Sequence, residues 1–197
     1  MQKKLFFILW TLSCIGLFLF SFTQVDLSLT FSRASILQDI QKSFQYIGFF
    51  NRPLAAIIFI ALSLILIAFY LWGLKLVQRK NLSRKDIWRL IFLTVAVLFF
   101  SYNAFSYDLF NYIFDAKIVT EYGQNPYEHK ALDYPTDPML SFMRWTHRVY
   151  PYGPVWLGLT IPLSYLGMGY FIVTFYLFKA LMAMSFIGTA YFIEKIM

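Results

Sequence analysis

An all-α, polytopic bundle of transmembrane helices, with amphipathic helices lying on its outer face, is the architecture this sequence predicts. Three observations carry that expectation. The 197-residue chain is 59% hydrophobic and only 14% charged, too little polar surface to cover a water-soluble domain. Long apolar runs recur at about the ~20 residues that a helix needs to cross ~30 Å of hydrocarbon. The carboxylates are gathered in one stretch: six of the ten acidic residues (Asp108, Asp115, Glu121, Glu128, Asp133, Asp137) lie between Tyr107 and Pro154.

The first span is expected at 5–23, preceded by Lys3 and Lys4 and free of charge from Leu5 to Val25. A cleaved signal peptide is the rival for this segment. The apolar run is long for one, and Ser21-Phe22-Thr23 is a poor cleavage site, so an uncleaved anchor is favoured. The second span, 54–77, follows Asn51-Arg52-Pro53, where proline suits a first helical turn whose N–H groups lack partners. The third is expected at 87–105. Segments 155–170 and 171–193 are also apolar. The former is short and holds Pro162, Gly167 and Gly169, so it either crosses or dips and returns; the side on which Glu194 and Lys195 lie stays open.

Charge orients the chain. Lys75, Arg79, Lys80, Arg84, Lys85 and Arg89 surround one Asp86 between the second and third spans, which marks a cytoplasmic loop. The N-terminus is then cytoplasmic, and the 107–154 loop lies outside a cell membrane. Asn81-Leu82-Ser83 is a glycosylation sequon that should be silent on the inner side. The net charge of +7 does not indicate nucleic acid, because no basic groove interleaves with base-stacking aromatics. Cys14 stands alone in an apolar run.

Two stretches have the pattern of helices at the headgroup boundary. In 35–50, Leu37, Ile40, Phe44 and Ile47 form a stripe opposite Gln38, Asp39, Gln41 and Lys42. In 107–118, Phe110, Ile113 and Phe114 oppose Asp108, Asn111, Tyr112 and Asp115. Asp108 and Asp115 then share a face about two turns apart. A carboxylate at a membrane surface can take a proton from a hydroxyl during group transfer, and burial would raise its pKa towards a useful value. The plain alternative is that these acids solvate the helix or pair with Lys117 and Arg148.

Other residues are candidates of the same kind. Arg144, His147 and Arg148 stand at i, i+3 and i+4, a set that would hold a phosphate if helical, or merely face lipid headgroups. Lys179 falls near the middle of a span, where a charge is costly unless paired, lining a cavity or snorkelling. Asn125-Pro126-Tyr127 after Gly123 marks a turn, and Tyr152-Gly153-Pro154 a tight return into the membrane. No spacing of His129, His147 and the acids makes a metal site. Dinucleotide, Walker, zincin and nucleophile-elbow motifs are absent.

The order Ser106-Tyr107-Asp108-Leu109-Phe110-Asn111-Tyr112, then Gly123-Gln124-Asn125-Pro126-Tyr127, then Tyr152-Gly153-Pro154 resembles the GT-C superfamily of integral-membrane glycosyltransferases. It is similar in particular to the bacterial polyprenol-phosphate-mannose branch. The resemblance covers about 104–162 and implies sugar transfer, mannose above all, from a polyprenyl-phosphate donor to an extracytoplasmic glycan or lipid acceptor. It implies Asp108 as the base and Asp115 as a second acid of the same helix. Arg144, His147, Arg148 and Lys179 would face the donor phosphate, and Asn125, Pro126, Tyr127, Tyr152, Gly153 and Pro154 would shape the loop. No cofactor is implied beyond the lipid-linked donor, and a divalent metal stays open. Relatives are usually about twice as long, so the chain is expected to be the N-terminal part of a GT-C-like fold, one incomplete transmembrane domain as an enzyme. The acid-bearing loop follows the third span here, whereas in relatives it often follows the first.

The competing class is a non-enzymatic membrane protein, either half of a transporter or flippase, or an assembly subunit. A transporter would carry carboxylates within its spans, and these spans hold none. The orientation makes a direct prediction: a cysteine probe at Ser141 should react from outside, and one at Ser83 only after permeabilisation. Reversed labelling would put the acidic loop in the cytoplasm and remove the case for a lipid donor.

Overall fold

The computed structural model describes residues 2–196, and all of its regular structure is helical among them. The principal helices are α1 (Gln2–Ser21), α2 (Ser35–Gln45), α3 (Arg52–Gln78), α4 (Arg84–Phe99), α5 (Asp108–Thr120), α6 (Pro154–Gly167) and α7 (Phe171–Ile196). Short 3-10 turns follow α1 and punctuate the 121–153 segment, and a π-helical turn (Tyr46–Phe50) continues α2. The fold is the expected helical membrane bundle. The chain forms two compact units, Met1–Asp26 with Thr30–Ala104, and Leu27–Leu29 with Phe105–Met197.

Among the described residues, three helices are long and apolar enough to cross a membrane: α1 with its 3-10 extension, α3 and α7. The fourth helix has 16 residues and α6 has 14, about 24 and 21 Å at ~1.5 Å per residue. The expected third span therefore ends at Phe99, six residues short of Phe105. Its backbone leaves the helix there because the Tyr102 N–H donates to Ser21 Oγ (2.9 Å) instead of to a helical carbonyl.

In the first unit, α1 packs along both α3 and α4. Phe6, Leu76 and Leu82 are buried together, flanked by Phe7, Trp10, Phe69, Trp72 and Leu90. Polar contacts set the ends. Ser83 caps α4 reciprocally with Asp86, and Lys3 reaches the same carboxylate at 2.7 Å. The start of α1 and the basic segment before α4 consequently lie at one end. Because Ser83 is a cap, the inner labelling probe is better placed at the neighbouring exposed Asn81. Along α3 only Ala55 and Leu76 are buried, while Ile57, Ile60, Leu64 and Ile67 point outward. An apolar helix exposed on nearly all sides is at home in lipid.

The second unit is built on α5. Leu109, Phe110, Asn111, Ile113, Phe114, Ala116 and Ile118 are all buried, so α5 is enclosed well beyond the one apolar stripe expected of an interfacial helix. It packs against α6 and α7. Thr120 and Ser164 hydroxyls join α5 to α6 at 2.8 Å, and Phe110 stacks on Phe175, meets Phe142 edge-on and lies tilted against Phe171. Pro154 opens α6, and the left-handed Met168 (φ 48) with Gly169 (φ 75) closes it before α7.

The tightest backbone approach in the first unit is at Gly48, where an added Cβ would sit 1.8 Å from the Thr23 carbonyl oxygen. Gly48→Ala is expected to destabilise the protein by about 1–3 kcal/mol, read as a lower thermal midpoint in detergent. Gly158→Ala, which meets nothing within 4 Å, should not.

Candidate active site

Helix α5 begins where Ser106 Oγ accepts the Asp108 N–H (3.1 Å), and it ends where Gly123 (φ 63) lets the Gln124 N–H reach the Ile118 carbonyl (3.0 Å). It presents Asp108 and Asp115 from one face, as the spacing predicts. Asp108 is 39% exposed and lies 3.8 Å from an Arg148 guanidinium nitrogen. Asp115 is half-buried. Burial pushes its pKa up to about 7, against the opposing pull of Arg148.

The basic residues are arranged differently from the expectation. The 142–150 segment is irregular, with Trp145 at φ 57, so Arg144, His147 and Arg148 do not share a helical face. Tertiary contacts place each one separately. Arg148 lies over the Trp145 and Tyr152 rings (5.5 and 5.9 Å) and reaches the Tyr152 hydroxyl at 3.5 Å. Arg144 lies 5.0 Å over the Tyr107 ring, and its carbonyl accepts from Asn111 Nδ2 at 2.8 Å. His147 is exposed beside Trp145. Lys179, on α7, lies 5.8 Å over the Phe175 ring.

The two loop motifs meet. Asn125 forms an Asx turn, its Oδ1 accepting the Tyr127 N–H at 3.1 Å, and the Pro126 carbonyl accepts the Tyr150 N–H at 2.9 Å. Tyr127 donates to the Tyr152 carbonyl (3.1 Å), and Tyr150 to that of Gly153 (3.2 Å). Burial pushes the Tyr150 phenol up to about 12. This clasp sets Tyr152 against Tyr112, whose other edge meets Trp156 (5.1 and 5.3 Å). Burial and the neighbouring Tyr152 raise the Tyr112 phenol as well. The outcome is a carboxylate and an arginine bordered by aromatic faces.

A second polar group was not singled out from sequence. Lys117 binds Asp137 at 2.6 Å and Glu121 at 3.4 Å, and Tyr122 donates to Asp137 at 2.7 Å. Burial disfavours the Asp137 charge. The hydrogen bonds from Lys117, Tyr122 and the Met139 N–H outweigh it and hold the carboxyl below the usual range. A cavity of about 140 Å³ opens beside this group, lined also by Ile113, Ser164, Phe171 and Thr174. The i, i+4 spacing of Lys117 and Glu121 was the one sequence signal for it. Among the described residues no three His, Cys, Asp or Glu side chains gather as metal ligands, and His129 pairs with Asp133 at 3.5 Å.

Asp115 gives the site a pH signature. Its folded pKa, about 7, lies above the unfolded value of about 4, so its contribution to stability is complete below about pH 4 and is lost as pH rises through 7. Asp115→Asn should flatten this part of the profile and raise the melting temperature relative to wild type at pH 8 but not at pH 4. Parallel profiles for the two proteins would show that the carboxyl is not buried.

Comparison with known proteins yields one match. Residues 11–197 match the family described as alpha-(1->6)-mannopyranosyltransferase, N-terminal domain. No curated protein and no solved structure matches this chain. With nearly its whole length covered by that match, the chain belongs to the alpha-(1->6)-mannopyranosyltransferase family and corresponds to its N-terminal domain.

Proposed function

We propose that this chain carries the acceptor-activating part of a GT-C-type mannosyltransferase that draws mannose from a polyprenyl-phosphate donor at the outer face of the cell membrane. Membership of a mannosyltransferase family supports the glycosyltransferase class. The observation that carries the finer reading is the pairing of Asp108 with Arg148 at 3.8 Å inside a border of Tyr107, Tyr112, Trp145, Tyr152 and Trp156. Each part has a use in sugar transfer from a lipid phosphate. The acceptor hydroxyl attacks the anomeric carbon, its proton passes to Asp108, and the bond from that carbon to the phosphate oxygen breaks with inversion. The lipid phosphate leaves with the electron pair.

Asp108 suits the base because it is accessible, whereas Asp115 lies deeper and is half protonated near neutrality. Asp115 sets the charge behind the base and orients it. Arg148 and Arg144 offset negative charge on the leaving phosphate, the part of catalysis carried by fixed charges; His147 and Lys179 are further candidates for that role. The aromatic rings offer faces to the C–H side of a sugar and to the prenyl chain.

The test is mannose transfer in membranes from a polyprenyl-phosphate-mannose donor, comparing the intact protein with Asp108→Asn and Asp115→Asn at matched expression. Asp108→Asn should cost roughly 10²–10⁴-fold in rate, the usual share of a general base, and Asp115→Asn less, with a shifted pH profile. Undiminished transfer by Asp108→Asn would remove it as the base.

A further inference from the structure

Ile113 and Lys117 on α5 and Glu121 at its C-cap recur every four residues. At about 100° per residue, Asp115 and Lys117 are separated by roughly 200°, so this row faces away from Asp108 and Asp115. The cavity of about 140 Å³ that the row lines is thus on the opposite side of the helix from the proposed catalytic face.

Its polar groups are unequally committed. Both Asp137 oxygens are engaged: Oδ1 accepts the Met139 N–H at 2.8 Å, and Oδ2 takes Lys117 and the Tyr122 hydroxyl. Lys117, only 16% exposed, gives one hydrogen to Asp137 and a longer one to Glu121, leaving a third for another acceptor. Glu121 uses Oε2 for Lys117. Its Oε1 faces bare backbone at Gly169, where even an added Cβ would stay 3.6 Å away. Glu121, Pro138 and Gly169 are all exposed and form the mouth.

Charge and size then select the occupant. One ammonium against two carboxylates leaves the lining at net −1, which repels phosphate, while the central ammonium repels a cation. What remains is a neutral ligand rich in hydroxyls, able to give hydrogens to Glu121 and take one from Lys117, with Phe171 and Ile113 for its C–H face. The volume is below the ~300–1,000 Å³ of pockets that enclose drug-sized molecules, so it suits a single sugar ring. We infer that this cavity is a second carbohydrate subsite, holding one mannosyl unit of the acceptor glycan on the face of α5 away from the reacting centre. The assignment of mannose rests on the proposed function; the polyol chemistry rests on the cavity alone.

The experiment is saturation-transfer NMR with methyl α-mannopyranoside on the detergent-solubilised intact protein, its Glu121→Ala variant and its Asp108→Asn variant, with mannose transfer measured on the same preparations. Glu121 is exposed and Asp137 keeps Lys117 in its absence, so the alanine variant should melt with wild type. Wild type and Asp108→Asn should give equal signals. Glu121→Ala should weaken binding roughly tenfold, as for loss of one charged hydrogen-bond acceptor. Absent signal in the wild type, equal binding by Glu121→Ala, or loss confined to Asp108→Asn would each overturn the subsite. Binding lost in Glu121→Ala with no transfer by any protein would keep the subsite and sink the proposed function instead.

Discussion

The buried ion pair between Lys117 and Asp137 is the contact on which the architecture of the second unit rests. It joins the last turn of α5 to a segment twenty residues further along, and it does so in a place where neither charge could stand alone. The Asp137 side chain is 1% exposed and receives hydrogen bonds from an ammonium, a phenol and a backbone N–H. Removing either partner from such a pair costs about 3–5 kcal/mol because the other is left uncompensated. Once the pair is made, Tyr122 stacks on Tyr134 at 3.9 Å, and Phe114 is sealed beneath them. A polar segment that would otherwise lie loose in water becomes a lid over an apolar helix.

The first unit solves a different problem. Its helices cannot gain by hiding apolar surface from lipid, since lipid tails are as apolar as leucine. Cohesion therefore depends on close approach and on hydrogen bonds. Gly73 leaves room for the Phe6 ring, Gly16 for Leu62, and Gly48 for the Thr23 carbonyl. Trp10 donates to Thr94 at 2.9 Å between α1 and α4. The Lys3–Asp86 contact and the Ser83 cap fasten one end where water can reach it.

Helix α5 separates two chemistries by geometry. One face holds Asp108 and Asp115 with Arg148 and the aromatic border; the other holds Lys117 and Glu121 over the cavity. A helix with both faces occupied must be buried along much of its length, which explains why Asn111 is enclosed although it reads as part of the polar face. The Asn111 amide spends its donor on the Arg144 carbonyl and so ties the arginine-bearing segment to the helix.

Much of this was legible in the chain itself. Apolar run length predicted α1, α3 and α7, because a helix that crosses lipid must satisfy its backbone internally and present apolar side chains all round. Pro53 and Pro154 marked helix starts through local backbone chemistry, which needs no distant partner. The spacing of Asp108 and Asp115 placed them on one face for the same reason. What sequence could not decide was every feature that depends on a partner far along the chain. The end of α4 at Phe99 follows from a Ser21 hydroxyl, and the arginines take their places from Tyr107, Trp145 and Tyr152 instead of from a shared helix. Periodicity reports which side chains share a face of one element. Only the tertiary structure decides what that face meets, and so which carboxylate is buried, which is paired, and which cavity lies between them.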